Sequence, residues 1–108
     1  MQTNPFNLTD AEFSAARVLV GSCLDGMGGD RPADLEHDEY TWVSPKDLQD
    51  NGYSKPQSAG FFSSLQEKGF IQLYDVETDI LTNRKRNVFV VATKGWQWMD
   101  AEWDRTGV

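Results

Sequence analysis

Two short groups of residues in this 108-residue chain carry side chains suited to meeting a polyanion. The first is Ser54, Lys55, Gln57 and Ser58; the second is Arg84, Lys85 and Arg86. A glutamine amide offers a donor beside an acceptor and can read an adenine edge at two points, while a serine hydroxyl can serve a base or a phosphate. Three consecutive cations can lie along a nucleic-acid backbone or in a minor groove, where they add affinity more than sequence preference.

Other chemistry finds little support. His37 and Cys23 are each the single residue of their kind, and they fall in unrelated settings. No glycine-rich nucleotide loop and no nucleophile elbow is present. Acids are plentiful, but nothing marks a pair of them for burial, so neither catalysis nor a cofactor is expected. The loop from Gly28 to Glu39 gathers Asp30, Asp34, Glu36, Asp38 and Glu39 around His37. Zinc would want two or more His or Cys ligands there, and the alternating acids and central glycine of a calcium loop are missing. A solvated acidic loop, without a metal, is the expectation. Its length makes it a candidate for contact with a protein partner.

The elements that must position the two groups announce themselves by caps and by periodicity. Ser54 and Gln57 form a capping box with Pro56 in the first turn, and Gly69 supplies the stop, which predicts a helix over 55–68. Ala59, Phe62 and Leu65 are its expected buried side, leaving Lys55, Gln57, Ser58, Ser64 and Lys68 off the stripe. Phe61, beside Phe62, should pack sideways or sit exposed. Ser44, Pro45 and Asp47 open a shorter helix over 45–51 that Asn51 and Gly52 end. Two short helices across a glycine-containing turn is the helix-turn-helix signature; the alternative is two unrelated helices packed in some other small α+β fold.

Upstream, Thr9 and Glu12 cap a helix over 8–27 whose Phe13, Ala16, Val20, Cys23, Leu24 and Met27 recur at three and four. Alternation predicts a short strand near 40–43 and hairpin strands near 70–77 and 86–92, joined by a polar, cation-ending loop over 78–87. Thr93 can cap a short last helix in which Trp96, Met99 and Trp103 share a face and Trp98 points elsewhere. The expected core is Phe13, Val20, Leu24, Leu48, Phe62, Leu65, Ile71 and Val90. The fold class is therefore α+β: one small winged helix-turn-helix domain over 1–108, with three helices, a β-hairpin wing and a short C-terminal helix.

Ser58 to Ile71 resembles the recognition helix and exit of winged-helix regulators of the MarR-like kind. There a leucine four residues before a glycine, then two apolar residues, leads into the wing, as do Leu65, Gly69, Phe70 and Ile71 here. Arg86, Val90 and Thr93 fall at the spacing of that family's wing strand and following cap. The likeness spans about Val43 to Trp96. Arg84 stands where the family usually has an acid, Gly95 comes one residue early, and the family's long dimerisation helices do not fit this length. The resemblance implies the fold and DNA binding, and not ligand sensing or a particular dimer.

Composition qualifies that expectation. The net charge is −7 and the isoelectric point about 4.5, whereas phosphate neutralisation usually rests on a basic surface. Distribution matters more than the total: Lys46, Lys55, Lys68 and Arg84 to Arg86 gather in the reading unit, and acids gather at 25–39 and 100–104. No basic N-terminal leader and no run near roughly 18 apolar residues is present, so a cytoplasmic location is expected and no membrane partner. A lone cysteine makes no internal disulfide and fits a buried, inert thiol. Two functions follow. One is a sequence-specific DNA-binding regulator of transcription, with double-stranded DNA as partner and a homodimer as its form. The other is an acidic winged-helix interaction module or inhibitor that acts on a nucleic-acid-binding protein through the acidic loop or the C-terminal helix. Trp96, Trp98 and Trp103 either close the core over the first helix or form a protein interface.

Overall fold

The computed structural model describes residues 5–32, 42–78 and 80–106. Most of the acidic loop, including His37, lies outside them, as do the first two residues of the strand expected near 40–43. The architecture is mixed α+β: four helices and a three-stranded antiparallel sheet. Helix α1 runs Asp10–Met27 and strand β1 Trp42–Val43. Helices α2 (Pro45–Gln49) and α3 (Lys55–Glu67) follow, then strands β2 (Ile71–Thr78) and β3 (Lys85–Val91) and helix α4 (Thr93–Thr106). The last helix is 14 residues long rather than short, and Thr93 is its first residue rather than its cap.

Local chemistry sets the helix boundaries. Thr9 and Glu12 close a reciprocal box, the Glu12 N–H donating to Thr9 Oγ1 at 3.1 Å and the Thr9 N–H to Glu12 Oε1 at 2.8 Å. Ser54 and Gln57 repeat it at the head of α3, at 3.0 and 3.2 Å. Three helix ends share one device; at the end of α1 it is Gly28 (φ 77°), with the Gly29 N–H donating to Leu24 O at 3.0 Å. At Gly52 (φ 97°) and Gly69 (φ 86°) the chain turns left-handed. The next N–H then reaches back over the turn, Tyr53 to Leu48 O at 3.1 Å and Phe70 to Leu65 O at 3.0 Å. This Schellman closure satisfies carbonyls that the helix would leave unpaired.

The sheet runs in the order β1-β3-β2. Val43 pairs with Phe89, and Ile71 with Val91, putting these four on the face that packs on the helices. Val90, expected in the core, pairs with Trp42 on the opposite face and is only half-buried; Val91 and Val88 are the buried valines of this strand. The helix-facing phase is one residue off the expected one: Phe89 and Val91 face the helices, while Val88, on the side of Val90, is buried outside the main core cluster. An irregularity between Leu73 and Asp75 lets two residues of β2 oppose one of β3, which raises the local twist of the ribbon.

The core draws on every element: Leu19, Val20 and Leu24 of α1, Leu48 of α2, Phe62 and Leu65 of α3, Ile71 and Val91 of the sheet, Trp96 and Met99 of α4. Phe13 is half-buried instead of core, its ring edge-on to Trp98 at 5.3 Å. Phe6 and Phe70 meet the same indole at 5.7 and 6.3 Å, so Trp98 is what fastens α4 over the start of α1. Phe61 packs sideways, edge-on to Tyr53 at 5.6 Å.

Candidate nucleic-acid interface

The solvent side of α3 consists of Lys55, Pro56, Gln57, Ala59, Gly60, Ser63, Gln66 and Glu67. Its first turn carries no acid, so the positive end of the helix dipole is not cancelled there. Ser54 is the exposed cap, and Lys55 and Gln57 stand beside it. Gln57 is partly committed: its Oε1 accepts the Ser54 N–H. A two-point adenine contact would need that oxygen to use its second lone pair or the box to open.

Ser58 does not belong to this surface. It is fully buried, and its hydroxyl donates to the Ser54 carbonyl at 2.8 Å, so it can meet neither a base nor a phosphate. Correspondingly Ala59, expected inside, is exposed. The inward stripe is Ser58, Phe62 and Leu65, rotated by one residue at its start. A serine enters such a stripe cheaply because the backbone carbonyl four residues back satisfies its hydroxyl.

Lys68 also leaves the candidate surface. Its ammonium donates to Glu12 Oε1 at 2.6 Å and to the Asn7 carbonyl at 2.9 Å, linking the exit of α3 to the first turn of α1. That hydrogen bond, with the one from the Thr9 N–H, holds the buried Glu12 carboxyl below its ordinary range. Lys55 is thus the cation left on the solvent side of α3.

The second group rides on the β2–β3 hairpin. Arg84 and Lys85 are exposed, and the strand register sets Arg86 opposite Glu77 and Lys85 opposite Thr78. The connection between the strands is not uniformly polar, as expected from its sequence. Ile80 and Leu81 stand at its tip, 95% and 94% exposed. Their signal was present in the chain: two adjacent aliphatics between strand-forming runs, at the far end of a ribbon. The two groups sit on separate elements, joined where Gly69 and Phe70 carry α3 directly into β2.

The tryptophan trio is divided. Trp96 is 2% exposed and belongs to the core, so it offers no surface to a partner. Trp98 is half-buried among Phe6, Phe13 and Phe70. Trp103 is half-buried with the Arg17 guanidinium 4.2 Å from its ring centre, at the edge of an open cleft of about 390 Å³. Among the described residues, no group of three or more His, Cys, Asp or Glu side chains is placed to hold a metal ion, and no helix is long and apolar enough to cross a membrane. Cys23 is buried, and burial, with the nearby Asp47 carboxylate adding to it, pushes its thiol up to about 12. No family model, curated protein or solved structure matches the chain.

Proposed function

We propose that this chain is a small winged helix-turn-helix protein that binds double-stranded DNA and regulates transcription. In this reading α3 enters the major groove with Ser54, Lys55 and Gln57 foremost, and the hairpin follows the backbone or minor groove with Arg84, Lys85 and Arg86. The observation that carries the reading is the join of α2, a glycine turn and α3 to a hairpin whose second strand is closed by a short first strand, in the order β1-β3-β2. In this reading the hairpin serves as a wing beside the second helix of the pair. The acid-free first turn of α3 and the exposed Arg84 and Lys85 supply the attraction.

The test is selection from a randomised duplex library, followed by electrophoretic retardation at low and moderate salt. Replacing Arg84, Lys85 and Arg86 by alanine should weaken binding to every sequence. It should also flatten the salt dependence, by about one unit of slope for each phosphate that is no longer neutralised. Replacing Gln57 should relax preference at one position and leave the slope alone. Failure to recover any duplex at low salt rejects the reading.

A second reading has its own support in the −7 charge and in Lys68, whose cation is spent on Glu12. Under it the fold presents an acidic surface to a nucleic-acid-binding protein. A protein complex that survives removal of the three wing cations, with no duplex bound, would establish it.

A further inference from the structure

The hairpin tip ends in apolar side chains that the fold leaves in solvent. Ile80 and Leu81 are almost wholly exposed, at the end of a two-stranded ribbon. Within five residues the chain returns through Asn83, which is left-handed at φ 55°, to the exposed cations Arg84 and Lys85. An apolar tip and a cationic shoulder on the β3 side are thus held in order along one ribbon, with Glu77 of β2 opposite Arg86 in the register.

We infer that Ile80 and Leu81 form a wedge that enters the minor groove of duplex DNA and partly unstacks a base step, with Arg84 and Lys85 on the flanking phosphates. The inference rests on the DNA-binding reading and deepens it. Dimensions favour a tip over a ribbon: paired strands stand about 4.8 Å apart before side chains are added, and the minor groove is only about 6 Å wide. Side chains at the turn can enter where the paired backbones cannot. Aliphatic wedges of this type kink the duplex toward the major groove, and the cost of unstacking is repaid by the protein surface that the bent DNA then meets. The immediate continuity of the hairpin with α3 puts further polar contacts within the same chain segment. A membrane surface is the less favoured occupant of the tip. Two aliphatics alone anchor weakly, and the solvent side of α3, with Lys55, Gln57, Ser63 and Gln66, supplies no second apolar face to lie in a lipid interface.

The experiment uses the full chain and the duplex recovered by library selection, with 2-aminopurine walked through each adenine position. Wild type should raise the fluorescence at one step, reporting unstacking, and should shorten the end-to-end distance of the labelled duplex. The double variant Ile80→Ser, Leu81→Ser should melt as wild type does, since the side chains it replaces are exposed. It should bind on the order of tenfold more weakly, keep the salt slope and show no fluorescence rise. Arg84→Ala with Lys85→Ala should instead lower the slope. If wild type binds the duplex with no rise at any position, or the serine variant matches wild type, the wedge is wrong while DNA binding stands. If no duplex is recovered, the DNA-binding reading fails and the wedge falls with it. Tip-dependent binding to vesicles of phosphatidylserine and phosphatidylcholine, with the duplex unaffected by the serine changes, would assign the tip to membranes and overturn the wedge.

Discussion

The ammonium of Lys68 sits 2.6 Å from Oε1 of Glu12, joining the last turn of α3 to the first turn of α1 across 56 positions of sequence. Glu12 is at the same time the closing member of the α1 capping box. One buried carboxylate therefore serves a local and a long-range partner together. Burial without such partners would raise its proton affinity; here the Lys68 hydrogen bond first, and the Thr9 N–H second, outweigh burial and lower it.

A pH dependence follows from that sign. With its folded value held below the ordinary 4.5, Glu12 binds a proton more readily in the unfolded chain. Its contribution to stability is whole above about pH 4.5 and is lost as pH falls through the folded value. Glu12→Gln and Lys68→Met should each lower Tm at neutral pH, and the gap from wild type should close in acid. Thermal melts over pH 3 to 7 check this; a gap that stays constant would show that the ion pair does not set it.

Phe62 and Leu65 are nearly or fully buried, the former edge-on to Phe89 at 5.1 Å. Truncating either to alanine should cost about 2–5 kcal/mol, from the apolar burial removed and the cavity left behind. Phe13→Ala should cost less, because its ring is half-buried. Urea denaturation of the three variants gives the order directly.

Gly95 and Gly60 should respond oppositely to alanine. A Cβ on Gly95 would stand 2.9 Å from a Val91 methyl and 3.1 Å from the Phe70 ring, neither of which can move aside without disturbing the core. Overpacking of about 1–3 kcal/mol should exceed the roughly 1 kcal/mol available from helix propensity, a net destabilisation. At Gly60, exposed within α3, a Cβ meets nothing within 4 Å, and the same change should stabilise by about 0.4–1 kcal/mol. Melting curves showing the same sign at both sites would refute the packing around Gly95.

Cys23 should be inert in the folded protein. Its thiol is buried and pushed up to about 12, and the thiolate is the reacting form. A disulfide-exchange reagent at pH 8 should label it only after denaturant is added.

The boundaries of the first three helices were largely legible in the chain because their causes lie within four residues, whereas the length of α4 was not. Thr9 with Glu12, Ser54 with Gln57, Pro45 and Pro56 in first turns, and Gly52 and Gly69 at stops all act through nearby backbone groups, whatever the rest of the molecule does. The alternation after Gly69 likewise marks strands from residue type alone. What spacing could not decide was phase and partner. A three-or-four repeat accommodates either Ser58 or Ala59 above Phe62, and residue polarity argued for the wrong one. The Ser54 carbonyl removed the cost of burying a hydroxyl, so packing turned Ser58 inward. Val90 and Val91 are chemically equal, and only the pairing of β3 with both Ile71 and Val43 chose between them. Trp96 and Trp103 share a helix, yet the first lies in the core and the second at a cleft edge beside Arg17, according to what α1 offers each. Lys68 was one more cation of the candidate site until the fold brought Glu12 to it. Local hydrogen bonds and steric preferences, short in range, were thus written in the sequence; side-chain facing and charge pairing depend on neighbours dozens of residues away, and tertiary packing alone decided them.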